Sequence, residues 1–542
     1  MKPSGRLELT WANKGLRLLA HDDESFTWVD RSDWRINEVR LLRELDVVGD
    51  PSDNLLIRGD ALNALTALTR LPGYREHYAG KVKLCYIDPP FNTGQAFAQY
   101  DDALEHSAWL TFMRDRLEQI RDLLAPDGSV WVHLDDSEGA YCKVVLDELF
   151  GRENFVASVI WEKTDSPRMD TKSFSVRHDT ILVYRRSEGF TLNRLAATDE
   201  GTHYNRVDER GRRYSIKPLR AMGGDPSRQD RPSLYFPLTA PDGSVVYPKQ
   251  TDGTDGRWRW GRERVERDAH LIEWIRGRSG YTAWFRTYMP EERFRPAETI
   301  WRQEEVGSTR TSSYEIKALF GGLAFATPKP ERLLQRVLLI ASNPGDLVLD
   351  CFAGSGTTAA VAHKMSRRWV ISELQADTVS TYIRPRLEKV VLGQDPGGIT
   401  EATGWTGGGG FRHLEVGPSM FEEVDGTLVL AEWASGGELA AAVAAQFGYT
   451  FEPQAPFAGR RGRSRLAVID GVLTPDVARY IAQRLAPGEG LLIVAEAIEA
   501  GAAEVATSLV KGAKVRKVPR DLARVGYQLT LPVERSSGQT TP

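Results

Sequence analysis

The sequence predicts an α/β protein built on an open sheet. Three observations carry that prediction. Apolar runs of strand length alternate with amphipathic stretches of helix length through residues 54–150 and 327–373. Two of those runs end abruptly in chemically distinctive residues, Asp88-Pro89-Pro90-Phe91 and Asp350-Cys351-Phe352-Ala353-Gly354-Ser355-Gly356-Thr357-Thr358. The second belongs to a strand–turn–helix–strand unit with an acidic residue, Glu373, at the end of its second strand.

Composition bounds the rest. At 542 residues the chain has room for two or three domains. A hydrophobic fraction of 41% and a charged fraction of 27% fit a soluble globular protein. No apolar run approaches the ~20 residues of a membrane span, so no membrane partner is expected. Met1-Lys2-Pro3-Ser4-Gly5 has no apolar signal-peptide core, and a cytoplasmic protein is expected. Cys85, Cys142 and Cys351 lack CxxC spacing and read as reduced core residues, neither a disulfide frame nor a metal site. The net charge of -4 argues against a uniformly basic nucleic-acid binder and leaves room for a local basic cleft.

Taken in order, residues 1–50 are polar and charged with several tryptophans, and read as an arm or peripheral helices. Residues 54–60 form a strand that delivers Asp60 to a turn, and 61–71 a short helix with Leu62, Leu65 and Leu68 on one face. Residues 81–87 are a buried strand that Pro89 and Pro90 stop, because proline cannot donate to a sheet ladder. Residues 92–102 are a polar loop, and 107–124 a strong amphipathic helix ended by Ala125-Pro126-Asp127-Gly128. A strand at 129–134, leading to Asp135 and Asp136, and a helix at 138–150 follow. Strands at 155–161 and 180–184 have only a loop between them, which suits an antiparallel pair at a sheet edge.

Periodicity fades from about Arg185 to Tyr314. Residues 161–310 carry 28 Lys and Arg against 23 Asp and Glu, and are rich in aromatics. In Arg257-Trp258-Arg259-Trp260 cations alternate with rings, a mix that suits phosphate contact plus base stacking. The alternative is a solvated insertion with its own small aromatic core.

Regular structure returns at Thr327-Pro328-Lys329-Pro330. A helix at 331–342 starts on proline, whose missing N–H costs nothing there. Strand 347–352, helix 357–365 and strand 369–373 complete the unit. Gly354-x-Gly356-x-x-Ala359 satisfies the dinucleotide fingerprint, with Glu373 placed for ribose hydroxyls. A nicotinamide oxidoreductase and an enzyme of S-adenosylmethionine both fit this unit taken alone. The Asp-Pro-Pro-Phe run favours the second, because it suits an amino group held above an aromatic face.

These two motifs together resemble the amino-methyltransferases of DNA, which methylate the exocyclic nitrogen of adenine or cytosine. The order, Asp88 block, basic insertion, glycine block, resembles the permuted β class. Similarity is strongest to modification subunits of type III restriction systems and related adenine methylases. It rests on residues 56–60, 86–94, 106–117, 124–136, 327–373 and 408–411. The resemblance implies a seven-stranded Rossmann-like sheet with an inserted target-recognition region and a small C-terminal α/β domain. It divides the chain into an arm (1–50), a first methyltransferase part (51–185), the insertion (186–325), a second methyltransferase part (326–415) and the C-terminal domain (416–535).

The resemblance also implies roles. Asp88 and the Pro89 carbonyl would accept the N–H bonds of the base amine, so that its lone pair can attack the sulfonium methyl in line. Pro90 stiffens the turn and Phe91 stacks on the flipped base. The family usually has Tyr at this place, which puts any role of a hydroxyl in doubt. Asp at the first position favours adenine, with cytosine the alternative. S-adenosylmethionine would be held by Asp350, Phe352, Ala353, Gly354, Ser355, Gly356 and Thr357, with Glu373 on the ribose. Asp60 is assigned to the cofactor's adenine or, equally, to a helix cap, and Lys329 to the methionine carboxylate or to the surface. His133, Asp135 and Asp136 read as structural.

No GxxxxGK[ST] is present, so ATP hydrolysis is not expected of this chain. A subunit that binds DNA without catalysis is the other class of reading, and the intact motifs argue against it. Beyond Gly410, strands at 427–430, 466–469 and 491–494 alternate with helices at 437–447 and 475–485. With Gly407–Gly410 as a joint, this module is expected to dock a second copy or a restriction or phage-defence partner, or else to buttress the catalytic domain. Duplex DNA is the expected substrate partner. Lys511–Arg524 is basic, and 534–542 reads as a disordered tail.

Overall fold

The computed structural model describes residues 8–518 apart from 21–25, 51–52, 93–95, 98–99, 102–104, 168, 170, 197–202, 279, 291–293, 323, 425–426 and 432–436. The predicted tail at 534–542 and the end of the basic run, 519–524, lie outside the described residues. The chain divides into two units, residues 1–193 with 297–542, and residues 194–296.

The first unit is organised by a ten-stranded sheet. Its strands are β1 (Leu42–Gly49), β2 (Leu55–Arg58), β3 (Val82–Ile87), β4 (Leu124–Leu134), β5 (Phe155–Glu162), β6 (His178–Arg185), β7 (Ile300–Trp301), β8 (Leu347–Asp350), β9 (Arg368–Glu373) and β10 (Gly410–Val416). Their spatial order is β7-β5-β6-β4-β3-β8-β9-β2-β10-β1. The middle run from β4 to β10 is parallel throughout. β6 is antiparallel to both β4 and β5, and β1 is antiparallel to β10. Helices α1 (Ala61–Arg70), α2 (His106–Leu123), α3 (Gly139–Phe150), α4 (Glu331–Ala341) and α5 (Thr357–Lys364) connect the strands. Leu55, Leu56, Ile57, Leu84, Cys85 and Ile87 are fully buried. Parallel strands covered on both faces read as continuous apolar runs for this reason.

All seven expected strands are present and adjacent, and three more extend the sheet. β1 was expected in a peripheral arm; it forms the sheet's edge instead. Among the described residues of the arm, Trp11 and Arg17 lie on α2, the Trp11 indole on Thr111 at 2.8 Å and Arg17 on Asp115 and Glu118. β10 was not among the expected strands, and the glycine run 407–410 was expected to act as a joint to the C-terminal module. Gly410 instead opens β10, and a Cβ there would collide with the Asp50 and Val48 carbonyls, so this glycine serves close packing. The signal was easy to miss because both strands find their partners far away in the chain.

Residues 297–325, expected in the insertion, belong to the first unit. The second unit holds a four-stranded antiparallel sheet formed by Arg206–Val207, Arg213–Pro218, Gly280–Tyr288 and Ile272–Gly277. Its core is Leu219, Phe236, Trp258, Trp260 and Ala283. The alternation at 257–260 therefore points the rings inward, 2% and 4% exposed, and leaves Arg259 outside. Trp258 and Trp260 are corrected from base-stacking candidates to core residues: the run makes an isolated antiparallel bridge from Trp258 to Arg220, and both rings pack into the cluster. The Trp258 indole N–H donates to the Phe236 carbonyl at 2.8 Å. Arg257 donates to the Asp225 carbonyl and Arg259 to the Arg220 carbonyl.

The C-terminal residues form a five-stranded sheet in simple chain order, Thr450–Gln454, Phe457–Arg461, Ser464–Leu473, Gly490–Ile498 and Lys514–Lys517. A core cluster that includes Leu439 and Val443 and another that includes Ala478 and Ile481 both draw on this sheet. The expected strand at 427–430 pairs instead with Phe421–Val424 in a separate hairpin. Ala445 packs with Val39, Ala67 and Leu71, and the Gln446 side chain accepts the Val39 N–H at 3.0 Å. The module is thus packed on the catalytic part.

Candidate active site

In this sheet β3 leads through α2 to β4 on one side, while its other neighbour, β8, comes from 265 residues further on in the sequence. Open α/β sheets bind ligands outside the carboxyl ends of strands where the chain reverses direction in this way. β3, β8 and β9 are consecutive, so Asp88, Asp350 and Glu373 stand at three neighbouring strand ends. A cavity of about 750 Å³ opens over them. It is lined by Asp60, Asp88, Pro89, Pro90, Phe91, Lys329, Asp350, Phe352, Ala353, Gly354, Ser355, Thr357 and Glu373. Gly356, expected among them, is not part of the lining. It caps α5 in a left-handed conformation, φ 75°, which glycine adopts without a steric penalty.

The Asp88 turn is held from several sides. The Trp109 indole of α2 donates to the Pro90 carbonyl at 2.7 Å. The Phe91 ring lies over the His133 ring, centroids 5.9 Å apart and 25° between planes. His133 is fully buried, bonded to the Tyr86 hydroxyl at 2.7 Å and to Asp179 at 3.2 Å. Asp179 also pairs with Lys163 at 2.6 Å. Burial works against ionisation of Asp179, but His133 and Lys163 outweigh it and hold the carboxyl at about 2. A polar chain thus runs beneath Phe91, and His133 is the structural residue expected.

Lys329 differs from expectation. It is 9% exposed, so it is no surface lysine, and its ammonium pairs with Asp88 Oδ2. The other Asp88 oxygen, Oδ1, is buried and accepts no hydrogen bond from a described residue. The Lys329 Nζ also lies 5.3 Å from the centre of the Phe91 ring. The alternative of a surface lysine is thus overturned, and Lys329 pairs with Asp88 while lining the cavity.

Asp350 is buried at the root of the cavity, accepting the Thr358 hydroxyl at 2.6 Å and the Phe352 N–H at 2.9 Å. Burial pushes its carboxyl up to about 7 despite these bonds, and repulsion from Asp88 and Glu373 adds to the shift. Burial also raises Glu373, which accepts the Gly354 N–H at 2.9 Å and the Gln375 N–H at 3.2 Å. This places the carboxylate against the glycine turn, next to the exposed apolar side chain of Leu374. Asp60 serves as the cap of α1, accepting from Leu62 and Asn63, and its second oxygen pairs with Arg116 at 2.6 Å. The cap reading of Asp60 holds, and the residue also lines the cavity.

Arg116 was missed. It is a buried cation on the inner face of α2, 3.4 Å over the Phe112 ring, and its signal was a charge within an apolar helical stripe. Lys163, Asp179 and Phe325 also line the cavity and had no motif to mark them.

The Haemophilus influenzae protein named a probable type III restriction-modification enzyme HindVI Mod subunit is 30% identical over 436 residues, 71% of this chain and 56% of that one. The EcoPI Mod subunit of Escherichia phage P1 is 31% identical over 363 residues, 58% of this chain and 55% of that one. The chain thus spans little more than half the length of these relatives. The DNA adenine methyltransferase YhdJ of Escherichia coli is 48% identical over 58 residues, 11% of this chain and 20% of that one. The profile of a family described as DNA methylase matches residues 82–384, the stretch that holds both strand-end motifs and most of the cavity lining, and the chain belongs to that family.

Proposed function

We propose that this chain transfers a methyl group from S-adenosylmethionine to the N6 amine of adenine in duplex DNA, at a specific sequence, within a restriction-modification or phage-defence system. The observation that carries the reading is Asp88, paired with Lys329 through Oδ2 and lining the cavity beside Phe91. A carboxylate in that position is an acceptor for the exocyclic amine of a base entering the cavity.

The lining fits the cofactor. Asp60, Asp88, Asp350 and Glu373 make a carboxylate-rich cavity for a ligand with sulfonium and ammonium cations, and Phe352, Ala353 and Phe325 give it apolar walls. Glu373 would hold the ribose diol, while the glycine turn at 354 admits the nucleoside. S-adenosylmethionine supplies an electrophilic methyl group when bound. Asp88 and the Pro89 carbonyl would accept hydrogen bonds from the two amine N–H groups and so orient the nitrogen lone pair toward that methyl. Phe91, seated on His133, offers a ring for the base. Lys329 keeps the Asp88 carboxyl group in place, so Asp88 works by orientation and hydrogen bonding more than as a strong base. Adenine is favoured over cytosine by Asp at the first motif position and by the name of the YhdJ relative.

The reading includes duplex DNA as partner, with the insertion choosing the sequence through exposed cations such as Arg259. For the C-terminal module it includes a second copy or a restriction subunit; the exposed edge strand Thr450–Gln454 supports this, since an open edge can pair with another chain. The test of the core reading is Asp88→Ala, assayed for methyl transfer to DNA and for equilibrium binding of S-adenosylmethionine. Transfer should disappear and cofactor binding persist; near-normal transfer removes Asp88 from the mechanism.

A further inference from the structure

The connection between β5 and β6 has no part in the chemistry above, yet it borders the cavity. Its base is pinned. The Lys163 N–H donates to the Arg177 carbonyl at 2.9 Å, Lys163 pairs with Asp179, and Arg177 pairs with Glu162 at 2.6 Å. Its tip is the opposite: Met169 and Phe174 are each 92% exposed. Single exposed apolar residues are ordinary, but two almost wholly exposed large ones on one short connection mark an interaction surface. Phe174 also lines the cavity together with Thr171 and Val176, so it stands at the cavity's mouth. Lys172 lies exposed between the two apolar side chains.

We propose that this loop is the wedge that enters the duplex beside the target base, with Phe174 filling the space that the base leaves. The proposal rests on the reading of the site as a DNA base methylation centre. An enzyme that acts on a base must unstack it, and the vacated gap is unfavourable until something apolar fills it. A side chain already exposed to water gives up little of its own packing on entry. A planar ring stacks on the neighbouring bases, and Lys172 is placed to meet a phosphate. The pinned base lets the loop push without losing its aim.

The test compares the wild type with Phe174→Ala and Phe174→Trp on two duplexes. Both carry the motif that sequencing of DNA from expressing cells reports; in one the target base is paired, in the other it faces an abasic site. Removing the wedge should lower kcat/KM on the paired duplex about tenfold or more and cost less than about threefold on the abasic duplex, where no pairing resists extrusion. The tryptophan variant should stay close to wild type, and S-adenosylmethionine affinity should be unchanged in all three. Equal losses on both duplexes, no loss on either, or weakened cofactor binding in Phe174→Ala would overturn the wedge, the last showing instead a lid over the cofactor. A wild type that methylates neither duplex would overturn the underlying reading as well.

Discussion

Residues 86–91 and residues 257–260 look alike on paper, short runs in which aromatic rings mix with charged groups, yet they fold to different ends. In the first, the carboxyl group lines a cavity: Asp88 pairs with Lys329 through Oδ2, its Oδ1 has no donor among the described residues, and Phe91 is propped on His133. In the second, the rings are satisfied. Trp258 donates to a backbone carbonyl inside a packed cluster, and the cations turn outward. Unsatisfied polar groups beside space mark chemistry, whereas aromatic content by itself marks a core.

Substitutions sharpen that contrast. The largest effect should come from Asp88→Ala, about a thousandfold in methyl transfer, on the scale of losing a preorganised hydrogen-bonding group. Trp258→Ala should destabilise the insertion by about 3–5 kcal/mol, read by denaturant unfolding, because it empties a packed core. If that variant kept full stability while losing DNA affinity, the ring would face DNA after all. Lys329→Met should lower transfer by about ten- to a hundredfold with cofactor affinity kept, and Lys329→Arg should restore part of it, since a cation on Asp88 is what matters. Arg259→Ala should leave stability within about 0.5 kcal/mol and act only on DNA binding.

The site also sets a pH dependence. Asp350 is raised to about 7 by burial, against about 4 in an unfolded chain. Between those values the folded chain keeps a proton that the unfolded chain has released. The contribution of this group to stability is therefore full below about pH 4 and declines as pH rises through 7. Asp350→Asn should remove that decline, visible as a flatter melting temperature between pH 5 and 8.

What the sequence showed and what it hid follow from range. Asp88, Asp350 and Glu373 were legible because each ends a buried strand, and strand ends in an α/β sheet share one edge. The Lys329 to Asp88 pair joins residues 241 apart, and no local pattern relates them. β1 and β10 were hidden for the same reason: β1 joins the sheet only through β10, and β10 lies between β1 and β2. The tryptophans at 258 and 260 misled because alternation of rings and cations also suits a run that packs its rings into a core.

The most direct test of the central claim is nucleoside mass spectrometry of DNA incubated with the purified chain and S-adenosylmethionine, beside the Asp88→Ala variant. N6-methyladenine from the wild type and none from the variant is the expected result. N4-methylcytosine alone, or DNA left unmodified by a chain that binds a nicotinamide dinucleotide, would contradict it.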